Sequence, residues 1–140
     1  MVTGKETKVW HAHRSTLLEC VIGARCTIHS HVWIGNNVII GDSCKVQAFC
    51  FIPDGVTIGN NVFLGPRVTF TNDRYPPSKD WLDTVVEDGV SIGAGAVILP
   101  GLRIGAHSMV GAGAVVTKDV PVGSVVVGNP ARVIKKKAVA

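Results

Sequence analysis

Four histidines gather near the start of the chain, and His29 and His31 repeat His11 and His13 at an interval of 18 residues. Clustered imidazoles can take a proton from a nucleophile, bind a metal, or line a ligand with hydrogen-bonding edges. A second polar set lies in the stretch "FTNDRYPPSKDW", from Phe70 to Trp81, which offers Asn72, Asp73, Arg74 and Tyr75 but no histidine or cysteine. There an amide can orient a reacting group, a carboxylate can accept its proton and an arginine can attract an anion. A third set is cationic and late in the chain: Lys118, Arg132 and the run Lys135–Lys137.

What positions these residues is a period of six. Every sixth residue from Ile22 reads Ile22, Ile28, Ile34, Ile40, Val46, Ile52, Ile58, Leu64 and Phe70; the beat resumes at Val86 and continues through Ile92, Ile98, Ile104, Val110, Val116 and Val122. Glycine often follows the beat, and a second small or branched residue, such as Val32, Val62 or Ala96, stands four places after it. Sustained self-similarity of this kind marks a solenoid. Each hexad predicts one flat side with its beat residue inward and a glycine-permissive bend at the corner. Three sides make a coil of 18 residues, and coils stack at about 4.8 Å. The fold class expected is all-β, a parallel β-helix of three-sided coils.

Residues 18 apart then lie one above the other. His11 is expected beneath His29, and His13 beneath His31, with Gln47 and Phe49 and then Gly65 and Arg67 continuing the two columns. Imidazoles with an arginine above them suit either a wall for a phosphate-bearing ligand or a solvent-facing polar ridge. Cys20, Cys26, Cys44 and Cys50 each sit four places after a beat, so they face inward as small hydrophobes. Cys26 and Cys44 are one coil apart and expected to stack as free thiols rather than as a disulfide.

After Phe70 the chain leaves the coil and returns near Val86, giving one protruding loop over about 71–85 with roughly ten extra residues, Pro76–Val85. Pro76 and Pro77 rule out helix there. Trp81 and Leu82 are apolar anchors that a neighbouring copy of the chain would cover. Asn72 itself is either a site residue or a turn-former.

The remaining composition bounds the class. One hundred and forty residues, 46% apolar and 17% charged, describe one compact domain over 1–134 with a basic tail over 135–140. Neither a membrane span nor a leader sequence is legible, so a cytoplasmic protein with no membrane partner is expected. A formal net charge of +4 fits an anionic ligand or an ordinary lysine-bearing surface, and with its single basic run in the tail the chain is not expected to bind nucleic acid.

The phrases "GVTIGNNVFLGPRVTFTND", "GVSIGAGAVILPGLRIG", "VGAGAVVTKDVP" and "VVGNPAR" resemble the hexapeptide-repeat acyltransferases over about residues 5–134. Within them "VFLGP" followed by "FTND" resembles the N-acetyltransferases of nucleotide-linked amino sugars, such as the UDP-2-acetamido-3-amino-2,3-dideoxy-glucuronate N-acetyltransferases. The resemblance implies a left-handed β-helix, a homotrimer with intersubunit sites, and acetyl-CoA as cosubstrate without a metal. It implies Asn72 as the residue beside the reacting amine, with Asp73 as the alternative proton acceptor. The acceptor would lie against His11, His13, His29, His31, Arg67, Arg74 and Tyr75. Pantetheine would meet Ala94, Gly111 and Ala112, and the phosphates would meet Lys118, Arg132 and Lys135. Related O-acetyltransferases carry a histidine before the loop proline as general base; here Tyr75 precedes Pro76. An amine brings its own lone pair and dispenses with that base. Hexapeptide carbonic anhydrases gather three histidines around a metal, whereas His107 lies far along the axis from the other four. An O-acetyltransferase and a non-catalytic scaffold remain the alternative readings.

Overall fold

The computed structural model describes residues 1–136. It is a parallel β-solenoid of about seven turns with three faces. The first face stacks Val2–Thr3, Val21–Ile22, Ile39–Ile40, Val56–Ile58, Thr84–Val86 and Arg103–Ile104. The second begins with Lys8–Val9 and Thr27–Ile28 and ends in the strands Ser124–Gly128 and Ala131–Lys136. The third stacks Thr16–Leu17, Trp33–Ile34, Phe51–Ile52, Thr69–Phe70, Val97–Ile98 and Val115–Val116. Among the described residues no helix is long and apolar enough to cross a membrane.

The beat residues fill the interior. Ile22, Ile40, Ile58, Val86 and Ile104 are all buried, one above another behind the first face. Burial of each isoleucine is worth about 1.5–3 kcal/mol, so the column alone gives every strand a reason to face one way. All four cysteines are buried and free. Cys26 and Cys44 do stack: the Cys44 amide meets the Cys26 sulfur at 3.4 Å, and the Cys26 thiol donates to the Gly41 carbonyl. Hydrogen bonding to Cys26 and burial push the Cys44 thiol well above its ordinary range. Burial pushes Cys50 up to about 11. The hydrogen bond with Cys44 lowers the pKa of the Cys26 thiol instead, but at 1% exposure it is enclosed in the core like the other three.

The corners correct the expected role of glycine. The left-handed backbone falls two residues after the usual glycine, on Arg25, His31, Asn37, Ser43, Phe49, Asn61 and Arg67. The glycines that follow the beat are needed for close approach instead. A Cβ on Gly41 would lie 2.7 Å from the Gly59 carbonyl carbon and collide with the Asn60 side chain. That side chain is there because it caps a backbone group: Asn60 Oδ1 accepts from the Asp42 N–H at 2.8 Å. Asp42 does the same for Ala24, Asp88 for Asn60, and Asp54 for Asn36. A ladder of Asx side chains thus ties each coil to the one before it.

Two ends depart from the even count. In the first coil Val9 pairs with Ile28, 19 residues on, whereas Thr16 pairs with Trp33, 17 on. The difference of two is taken up by a 3-10 turn over Ala12–Arg14. At the other end Met109 pairs with Val125, only 16 on, so Val122 misses the interior and is 55% exposed. Val126 fills the place instead. An antiparallel hairpin follows, pairing Val125 with Lys135 and Val127 with Arg132, so Lys135 and Lys136 belong to the final strand.

Candidate active site

The loop is an insertion of ten residues. Val56 pairs with Thr84, 28 positions on, against the 18 of a regular coil. It emerges where the third face turns into the first, which we call the third corner. Its base is closed by the Leu82 N–H donating to the Asn72 carbonyl at 2.8 Å and by pairing of Asp73 with Trp81. Inside, the Asp73 carboxylate accepts from the Ser78 amide at 2.7 Å and from its hydroxyl at 2.6 Å. These bonds hold the Asp73 pKa below the ordinary aspartate value. A carboxylate so engaged fits a loop clamp better than a base. Trp81 and Tyr75 are both exposed, with the Trp81 indole donating to the Ser78 carbonyl at 3.2 Å.

Beside the loop is an open groove of about 540 Å³ lined by Arg74, Leu82, Pro100, Gly101, Leu102, Thr117, Lys118 and Asp119. Two cations reach it from stretches more than forty residues apart, over an apolar floor. Lys118 also borders a cavity of about 290 Å³ beneath the terminal hairpin, together with Arg132. Lys118 thus borders both spaces, Arg74 only the groove and Arg132 only the cavity, with Asn72 at the neck of the loop. Lys135 lies on the hairpin strand, and Lys137 lies outside the described residues.

The other expected residues stand at the second corner, between the second and third faces. There the repeated "GAGAV", residues 93–97 and 111–115, carries alanine at the place that the other two corners give to Asx. The residue one coil above Ala94 is Ala112, whose backbone nitrogen would lie 2.5 Å from a Cβ on Gly93. Alanine has no oxygen to cap the Ala94 N–H, as Asp42 caps Ala24. A methyl-sized corner with an uncapped amide donor suits an amide- or thioester-bearing ligand lying against the backbone. Gly95 and Gly113, beside the alanines, have nothing within 4 Å of a Cβ position, so the corner is an open notch.

The histidine columns are only half present. Because the first coil carries the extra turn, His11 does not stand under His29 or His13 under His31; the His11 and His13 rings instead meet edge to face, 6.1 Å apart. One coil higher the column is regular. The His31 ring stacks on Phe49 with centroids 4.9 Å apart, and the Arg67 guanidinium lies 4.7 Å from the Phe49 centroid on the same corner. Phe49, expected only as a member of the column, is the ring that joins His31 to Arg67. Among the described residues no group of three or more His, Cys, Asp or Glu is placed to hold a metal.

Asn72, Arg74 and Lys118 at the third corner are separated from Arg67, Ala94 and Ala112 at the second by the width of the third face. A six-residue side spans roughly 15–20 Å at strand rise. Within one chain the two sets do not meet.

Comparison with known proteins agrees with this architecture. Over 97% of this chain and 83% of its own, AntD, an N-acyltransferase from Bacillus cereus in complex with dTDP and 3-hydroxybutyryl-CoA, superposes with a TM-score of 0.86 at 19% identity. A variant of the same protein in complex with dTDP-4-amino-4,6-dideoxyglucose and Coenzyme A gives 0.87 at 19% identity, over 99% of this chain and 84% of that one. The acetyltransferase domain of PglB from Neisseria gonorrhoeae, in complex with acetyl coenzyme A, gives 0.79 at 21% identity, over 91% of this chain and 57% of that one. Among curated proteins, 2,3,4,5-tetrahydropyridine-2,6-dicarboxylate N-acetyltransferase of Staphylococcus aureus is 56% identical over 61 residues, which is 44% of this chain and 25% of the relative's length. The hexapeptide repeat of succinyl-transferase matches residues 19–52. The bacterial transferase hexapeptide model (six repeats) matches 37–72 and 83–118, just over half of the chain, and the chain belongs to that family.

Proposed function

We propose that this chain is an acetyl-CoA-dependent N-acetyltransferase whose acceptor is the amino group of a nucleotide-linked amino sugar. The observation that carries the reading is the loop groove at the third corner. Arg74 and Lys118 line it, Asn72 lies at the neck of the adjoining loop, and Tyr75 rather than a histidine precedes Pro76, which supports an enzyme that does not activate hydroxyls. The amine nitrogen attacks the thioester carbonyl with its own lone pair. The tetrahedral adduct collapses with cleavage of the C–S bond, and the proton lost from nitrogen leaves through water to the departing thiolate. Asn72 orients the nitrogen. The uncapped amide at Ala94 or Ala112 stabilises the oxyanion, the electrostatic contribution on which acyl transfer usually depends most.

The two separated sets, read as half-sites, also support a homotrimer. Three prisms that turn the same face to a threefold axis bring the second corner of each against the third corner of the next. The third face suits that position, since it exposes Trp33 and Phe51, stacked at 6.2 Å, with Val97 and Val115 on the same outward row. Ala94 and Ala112 of one copy would then meet Asn72, Arg74 and Lys118 of another. The donor and acceptor named in the AntD and PglB structures support this assignment of ligands.

A second acceptor class has its own observation. The segment shared with the tetrahydropyridine-dicarboxylate enzyme, together with Arg74 and Lys118 facing one groove, favours a carboxylated acceptor that carries no nucleotide. Measuring CoA release with an amino sugar, its hydroxy analogue, a nucleotide-linked amino sugar and an amino dicarboxylate separates the readings. Faster turnover of the hydroxy compound than of any amine would overturn N-acetyl transfer.

A further inference from the structure

Two corners of the solenoid carry opposite charges that stay unpaired among the described residues. At the second corner Phe49 holds a φ of 65°, where a bulky aromatic is disfavoured. Both faces of its ring are taken: the His31 imidazole stacks on one at 17°, and the Arg67 guanidinium lies over the other. The stack therefore props an exposed guanidinium at the corner. At the third corner, on the N-terminal side of the loop and opposite the groove, lies a cavity of about 360 Å³. It is lined by Asn37, Asp54, Gly55, Thr57, Trp81 and Asp83. Asp54 accepts from the Asn36 N–H through one oxygen, and the Asp83 carboxylate lies over Gly55, where a Cβ would collide with it. The ion pairs among the described residues are Met1–Glu19, Arg25–Asp42 and Arg103–Glu87, which leaves Arg67, Asp54 and Asp83 uncompensated.

We infer that Arg67 of one copy enters this cavity in the next and pairs with Asp83 there, with Asp54 beside it and the Trp81 ring against the guanidinium. The inference rests on the proposed homotrimer, in which the second corner of each copy meets the third corner of its neighbour. A threefold axis parallel to the coils keeps each residue at its own height. From Arg67 the chain crosses the third face through Thr69–Phe70 and reaches the third corner at Asn72, a rise of a third of a coil, about 1.6 Å. Asp83 stands at that level, because the Leu82 N–H closes the loop onto the Asn72 carbonyl, and Asp54 stands one coil lower. The guanidinium of one copy is therefore level with the carboxylates of the next. Arg74 and Lys118 line the groove on the other side of the loop, and Arg25 and Arg103 are already paired. A guanidinium between a carboxylate and an indole gains a charge-assisted hydrogen bond and a cation–π contact. Asp83 ends the loop whose neck is Asn72, so the contact makes Arg67 of the neighbouring copy a positioning residue for that loop.

The test is sedimentation equilibrium of the full chain for wild type, Arg67→Glu, Asp83→Arg and the double variant. CoA release is measured on the same samples with an amino sugar, free or nucleotide-linked, and an amino dicarboxylate. Arg67→Gln and Asp83→Asn, which remove one charge with little change of shape, are measured alongside, and circular dichroism verifies the solenoid in each. Each reversal is expected to weaken trimer association by about tenfold or more at every junction, the low end for close charge pairs across an interface. The double variant is expected to regain most of that loss, with CoA release following assembly. If wild type is a trimer and the losses of the two reversals simply add, the ion pair fails while the homotrimer and N-acetyl transfer stand. If wild type sediments as a monomer yet acetylates an amine, the inference and the homotrimer fail and N-acetyl transfer stands. If Asp83→Arg raises the KM for the amine without changing assembly, the cavity takes the acceptor and the inference fails. If the double variant restores the trimer while wild type acetylates no amine, the proposed activity fails and the ion pair stands.

Discussion

Asp73 accepts both hydrogens that Ser78 can offer, the amide at 2.7 Å and the hydroxyl at 2.6 Å. The pair closes the turn from Asp73 to Ser78, which contains both loop prolines, and through it the neck at Asn72 is held. Hydrogen bonding lowers the folded pKa of Asp73 below its unfolded value. Its contribution to loop order is therefore complete above about pH 4 and is lost as the pH falls through the lower folded value. The Ser78 amide resonance is expected to titrate with a midpoint below about 3.9, and a midpoint at or above that value would refute the clamp. Asp73→Ala is expected to speed tryptic cleavage after Arg74 and Lys79 while leaving the melting temperature of the coils unchanged.

The Asx ladder supplies a second prediction. Gly93 faces Ala112 as Gly41 faces Asn60, so the second corner has room for an Asx side chain where the sequence places alanine. Ala112→Asn is expected to cap the Ala94 N–H and to stabilise the chain by about 1 kcal/mol, the worth of one hydrogen bond. The same change withdraws the amide from a ligand and puts a side chain in its path. The KM for acetyl-CoA is expected to rise about tenfold or more, in proportion to one lost bond. A variant that is stabilised with an unchanged KM would remove Ala94 from the donor site.

How much of this could be read in advance follows from what a period records. Hydrophobic identity repeats every six residues, so the three faces, the inward cysteines and the ten-residue insertion are all legible. The period is silent where the backbone departs from it. The Ala12–Arg14 turn and the shortened last coil alter register without altering the beat nearby, so the lower histidine columns and the inward place of Val122 were misjudged. Glycine was read as a bend because its conformational freedom is a local property; its actual role, clearance for an Asx one coil away, is a contact between residues 18 or 19 apart. The placement of Asn72 and His31 at different corners was present in the numbering. Asn72 follows His31 by 41 residues, two coils and nearly one further side, but a count within columns does not compare corners.

The interior offers a stability test independent of function. Ser108 is fully buried, and its hydroxyl has no hydrogen-bond partner. Cys26 and Cys44, four places after their own beats, occupy the equivalent inward place in earlier coils and donate to the Gly41 and Gly59 carbonyls. A buried hydroxyl left unpaired costs about 1–3 kcal/mol, more than the packing lost with one oxygen. Ser108→Ala is therefore expected to raise the free energy of unfolding by about 1 kcal/mol in denaturant titration. A loss of stability would mean that the hydroxyl has a partner within the coil.

The separation of the half-sites gives the strictest test of the proposed assembly. If Asn72 of one copy works with Ala94 and Ala112 of the next, Asn72→Ala and Ala112→Asn disable different halves of every site. Assayed with acetyl-CoA well below the KM of Ala112→Asn, each variant alone is expected to be poorly active, with Asn72→Ala lowering kcat by about 10²-fold, the scale of one lost orienting or proton-steering group. Refolding the two together produces mixed trimers in which some junctions join an intact third corner to an intact second corner. Random assembly at equal amounts restores about a quarter of the sites. Recovery towards that fraction, absent when the two proteins are combined without unfolding, would place the two halves on different copies. Failure to recover activity, with mixed trimers verified by mass spectrometry, would confine the site to one chain and leave the third face without its proposed role.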